Sequence, residues 1–143
     1  MSFFDKIVAA VTPPESDEKR MEARAHARSL SSPGDWLSQV LDHHDQIEHA
    51  FATVKGASGA TAQRAAQKRL AVILTGHSNA EEAVLYPMLA DAGAKSRAGL
   101  AYEEQAAAKV QMALLERIEP FTENYFDKLD HIRGAVTHHM YQE

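Results

Sequence analysis

Residues 70–91 read LAVILTGHSNAEEAVLYPMLAD. Leu70, Ile73, Leu74, Val84, Leu85 and Met88 recur at the spacing of one helix face. His77 and Glu81 fall in the middle of that face. Four residues make about one helical turn, so the imidazole stacks over the carboxylate. The chain closes on HIRGAVTHHMYQE, residues 131–143, where His139 and Glu143 repeat the same step. Leu129, Ile132, Val136 and Met140 put that pair on a second apolar face, with His131 and His138 about a quarter turn away.

Working outward, four long helices are expected. They cover roughly 35–55, 61–91, 97–118 and 123 to the last residue, and Gly56, Gly59, Gly93 and Pro120 mark the breaks. Short connections favour antiparallel neighbours, so the expected fold is all-α, an up-down-up-down four-helix bundle over 35–143. An N-terminal helical extension, 1–34, precedes it. Within it, Phe3, Phe4, Ile7, Val8 and Val11 form a short amphipathic segment that Pro13 and Pro14 stop. Residues 15–30 are charged and Ala-rich, and are expected as a solvated helix. Ser31-Ser32-Pro33-Gly34 breaks the chain, and Asp35 is positioned to cap the first long helix.

The composition narrows the chemistry. A chain of 143 residues can bury a sizeable core. It is 45% hydrophobic with a formal net charge of −5, and no basic block is present to neutralise phosphates, which argues against a nucleic-acid partner. No segment is apolar enough to span a bilayer, and the N-terminus makes a poor signal peptide, so a cytoplasmic protein is expected. Cysteine is absent, which excludes disulfides and thiolate ligands; any metal must use imidazole or oxygen donors, and eight histidines can supply them.

In the first long helix His44 lies inside the stripe of Leu37, Val40, Leu41, Ile47, Phe51 and Val54, His43 lies at its edge, and His49 is outside. A single inward histidine is more often a satisfied core residue than a ligand. Inward Glu81 and Glu143 change that balance, because an unpaired buried carboxylate is costly and a metal ion removes the cost for both residue types.

The motifs around His44 (LDHHDQIEHAF), from His77 (HSNAEEAVLYPML) and at the C-terminus resemble the hemerythrin-like family of HHE cation-binding domains. The resemblance covers about residues 35–143. It implies a non-haem di-iron centre with His44, His77, Glu81, His139 and Glu143 as ligands, the two carboxylates bridging. It also implies an open coordination position for dioxygen or a related small redox ligand. Mixed imidazole and carboxylate donors suit iron.

Two departures stand out. The family carries a histidine on the third long helix, and this chain has none there. With Leu100, Ala107, Leu114, Leu115 and Ile118 as the stripe, Glu104 is aimed at the centre, Gln105 points largely away, and Tyr102 is a weaker candidate. Alignment by eye puts Gln105 in that place instead, and a solvated acidic first turn is the plain alternative for Glu103 and Glu104. Second, family members usually continue past this last Glu, so the bundle is expected to be cut short at its C-terminus, with a homo-oligomer as one way to complete it. Three functions follow: a di-iron protein that binds or senses oxygen, a di-iron enzyme acting on peroxide or NO, and a metal-free helical interaction module.

Overall fold

The computed structural model describes residues 15–142. The expectations for residues 2–11, for the stop at Pro13 and Pro14 and for Glu143 therefore lie outside the described residues. The helices are α1 (Asp17–Leu30), α2 (Trp36–Lys55), α3 (Ala60–Ala80), α4 (Tyr86–Asp91), α5 (Lys95–Leu115) and α6 (Glu123–Gln142), and no strand occurs among the described residues. α3 and α4 are joined without a loop by a π-helical turn, Glu81–Leu85. No helix among the described residues is long and apolar enough to cross a membrane.

Capping follows the sequence. Asp35 accepts the Ser38 N–H at 2.7 Å, and the Ser32 and Ser38 amides hold its carboxyl below the usual range. α2 packs along α3, α5 along α6, and α2 also meets α6. One end of the bundle is apolar: Phe51, Val54, Leu70, Leu115 and Leu129 are buried together. Each contributes roughly 1.5–3 kcal/mol by leaving water. Buried glutamines close that end. Gln63 donates to the Val54 carbonyl and accepts the Phe121 N–H, while Gln67 accepts from Tyr125 Oη. The Gln63 bond holds Phe121 at φ 66°, a left-handed conformation unusual for a bulky residue.

α1 has no buried residue, as its composition suggested. Ion pairs tie it to α2: Arg24 to Asp45 and Glu48, and Arg28 to Asp42 and Asp45. Glu48 is thereby turned to the helix seam and away from the centre. Just before α1, Glu15 meets His138 of α6 at 2.7 Å. Part-exposed pairs of this kind are worth about 0.2–1 kcal/mol each. Arg24→Ala with Arg28→Ala should therefore accelerate amide exchange in α1 and leave α2–α6 protected. Uniform exchange changes across the bundle would show α1 to be integral to it.

Two expected stripes are corrected. In the π-helical turn the Tyr86 N–H bonds back to the Glu81 carbonyl, five residues away. One inserted residue rotates everything after it by roughly 100°. Val84 and Met88, expected inside, are 60% and 58% exposed, and Tyr86 is buried in their stead. Pro87, which follows directly, has no N–H to give Ala83, and its ring would crowd that carbonyl; the widened turn accommodates both. On α5 the buried positions are Ala98, Gln105, Met112 and Leu115, while Leu100 and Leu114 are exposed. Leu115 alone of the expected leucines is buried; Leu100 and Leu114 rotate the expected stripe away from the buried face.

Candidate metal centre

At the opposite end of the bundle from Phe51 the core becomes polar. His44 from α2, His77 from α3 and Glu81 from the π-helical turn are all buried, with donor atoms within 4.8 Å of one another. Glu81 Oε1 lies 2.8 Å from His77 Nε2 and 3.9 Å from His44 Nε2. The His44 and His77 rings meet edge-to-face at 5.0 Å. Although His77 Nε2 and Glu81 Oε1 are close, they are not aligned as a hydrogen bond, and both atoms are buried without a hydrogen-bond partner. A cation satisfies such a pair where neither can satisfy the other.

The second oxygen of Glu81 faces other company. Tyr86 Oη donates to Oε2 at 3.0 Å, Gln105 Nε2 donates to it at 2.5 Å, and His139 Nε2 is 3.9 Å away. Tyr86 Oη also lies 3.1 Å from His139 Nε2 and accepts from Gln105 Nε2 at 2.6 Å. Behind it, His139 Nδ1 meets Glu104 Oε2 at 2.6 Å. An Nδ1–H donated to a carboxylate leaves the Nε2 lone pair facing the centre, the arrangement that orients metal-binding histidines.

Burial raises the Glu81 carboxyl pKa, but the neighbouring His139, His44 and His77 imidazoles together outweigh it and hold the group far below the usual carboxylate range. The centre thus keeps an ionised carboxylate in a dry place, surrounded by imidazole nitrogens. That donor set fits a transition metal such as iron. A cavity of about 650 Å³, lined in part by His44, Tyr86, Glu104, His139, Trp36 and Arg97, opens beside it.

The model of the hemerythrin HHE cation-binding domain matches residues 37–143. The chain belongs to this family. No curated protein and no solved structure matches it.

For this HHE domain the structure brings His44, His77, Glu81 and His139 together at the centre, as the sequence suggested. Glu104 is near it by a different route. Its side chain is 23% exposed and touches His139 from outside, and the residue that reaches Glu81 from α5 is Gln105, 4% exposed. The expected order of these two is therefore reversed, because the Ala98–Gln105–Met112 phase is the buried one. Tyr102 does not reach Glu81: it donates to the Glu82 carbonyl and stacks edge-to-face on Tyr86. Glu82 faces outward to Lys109. Tyr86 lies outside the stripe of Leu70, Ile73, Leu74, Val84, Leu85 and Met88, and phase alone does not find it. The available signal was Pro87 interrupting the apolar rhythm straight after it.

Proposed function

We propose that this protein holds a non-haem di-iron centre and uses it to bind or sense oxygen or a related small redox ligand. The reading is carried by one observation: the two oxygens of Glu81 address different donors, Oε1 toward His44 and His77 and Oε2 toward His139. A carboxylate divided in this way is suited to bridge two ions. His44 and His77 would serve one position and His139 the other. Glu143 is proposed as a further carboxylate, by analogy with the pairing of His77 and Glu81. We read 35–143 as an up-down-up-down four-helix unit and 1–34 as its extension.

Bound iron would supply one-electron chemistry and a coordination position for the small ligand. The chain's own residues orient the imidazoles, exclude bulk water and keep Glu81 ionised. Glu104 makes His139 a stronger donor by accepting its Nδ1–H, and electron-rich donors favour the ferric state. Redox sensing or oxidation is accordingly favoured over reversible oxygen carriage, and turnover of peroxide or NO is the second reading.

Metal analysis of the purified protein, with melting curves before and after chelation, tests the core of this. Iron should be present, and its removal should lower Tm, because bound metal stabilises only the folded state. A protein that takes up no iron and melts identically with and without it would be the metal-free interaction module instead. Reversible oxygenation without net oxidation would refute the preference for redox chemistry.

A further inference from the structure

We propose that Tyr86 supplies a phenolate oxygen to the metal position facing His139, and that Gln105 holds it in place. The inference rests on the di-iron reading and adds a donor that this reading lacks.

The two positions are unequally provided for. On the Oε1 side of Glu81 stand two imidazoles, His44 and His77. On the Oε2 side stands His139, and α5 contributes no imidazole at all. Iron sites of this class need more than two protein donors to hold the ion firmly. Tyr86 is the oxygen donor already in place. Its side chain is 1% exposed, and its hydroxyl lies between Glu81 Oε2 and His139 Nε2 at 3.0 and 3.1 Å. Neighbouring ligands on a metal at 2.0–2.1 Å stand about 2.9 Å apart at right angles and about 3.3 Å apart in a tetrahedron. The two measured edges fall in that interval. The remaining edge, His139 Nε2 to Glu81 Oε2, is 3.9 Å, so modest closure around an ion completes the set.

The backbone has been altered to put this hydroxyl there. In an uninterrupted α-helix the residue one turn beyond Glu81 on the inward face would be Leu85. The π-helical turn advances the register by one residue and presents Tyr86. Such insertions occur often at functional sites. Gln105 then fixes the ring's tip. Its amide nitrogen donates to both Glu81 Oε2 and Tyr86 Oη. A donor aimed at the phenol oxygen leaves that oxygen's proton directed elsewhere, here toward Glu81 Oε2. On ligation the metal replaces the phenolic proton, which passes to solvent. The oxidation state of the metal does not change in this step.

Hydrogen bonds and ligand edges have similar lengths, so spectroscopy must separate a ligand from a hydrogen-bonding neighbour. The ferric full-length protein should show a visible phenolate-to-iron charge-transfer band, with tyrosine ring modes enhanced in resonance Raman. Tyr86→Phe keeps the ring and should fold with unchanged helical circular dichroism. It should lose the band and the ring modes, and lose iron from one position only. Gln105→Leu should keep the band and shift its energy. Full iron occupancy in the parent protein without any such band overturns the assignment while leaving the di-iron reading intact. A band that survives in Tyr86→Phe overturns it too, by naming another tyrosine. Absence of iron from the parent protein overturns both. The parent spectrum decides the matter even if a variant fails to fold.

Discussion

Glu81→Ala is expected to empty both metal positions at once, whereas His77→Ala empties one and weakens the other. Glu81 is the only side chain among the described residues with one oxygen facing His77 and the other facing His139. At free metal about a hundredfold above Kd, binding adds roughly 2.7 kcal/mol to stability, which for a domain of this size is on the order of 10 °C in Tm. That increment should vanish in Glu81→Ala. The informative measurement is the difference between melts with and without iron, because Glu81 also matters to the metal-free protein. Its folded pKa lies below its ordinary value of 4.5, since the surrounding imidazoles outweigh burial. The stability it contributes is therefore complete above about 4.5 and is lost as pH falls toward the folded value. The metal-free parent should converge on Glu81→Ala in stability as the solution is acidified below that point. Retention of iron and of the full metal-dependent increment in Glu81→Ala would refute its bridging role.

Much of the placement of these residues was legible in the sequence, and the failures have two separate causes. α2 and α6 are uninterrupted helices with large apolar residues on one face. There, simple phase puts His44 and His139 on the inward face, His43 at its edge and His49 outside, and the structure buries His44 while leaving His49 exposed. On the α3–α4 segment the same arithmetic holds up to Glu81 and fails afterwards, because no periodicity of side chains announces a π-helical turn. The expected stripe consequently omits Tyr86, which is buried, and includes Met88, which is exposed. On α5 the difficulty was different. Its inward positions are occupied by Ala98, Gln105 and Met112, while Leu100 and Leu114 face outward. Weighting large apolar residues rotates the inferred face away from the true one. Ala98 and Gln105 carry little hydrophobic signal, so Leu100 and Leu114 dominate the inferred face. The elements carrying His44, His77, Glu81 and His139 were legible because these polar residues interrupt a strong apolar stripe, and α5 was not because its stripe is weak.

That misassigned face sets up the second large effect, on α5 itself. Glu104→Ala is expected to weaken the metal position facing His139 by about 10–100-fold, the range observed when a partner behind a ligating histidine is removed. The reason is that His139 Nδ1 meets Glu104 Oε2 at 2.6 Å; without it the ring can turn, and Nε2 is no longer the obligatory lone pair. Glu104→Gln keeps an acceptor oxygen and should recover most of the affinity while removing the charge. Gln105→Ala acts on the same position from inside. It withdraws the donor shared by Glu81 Oε2 and Tyr86 Oη and leaves a void where a buried amide had been. The two variants should differ in readout. Glu104→Ala lowers affinity with little cost to the metal-free protein, since its side chain is partly exposed. Gln105→Ala lowers both, because the residue is buried. Metal titrations that resolve two binding phases should show the phase assigned to His44 and His77 unchanged in Glu104→Ala. If Glu104→Ala instead weakens both phases equally, His139 is not confined to one position. If neither variant affects either phase, α5 plays no part in holding metal, and the polar contacts that it makes to Glu81 and His139 serve packing alone.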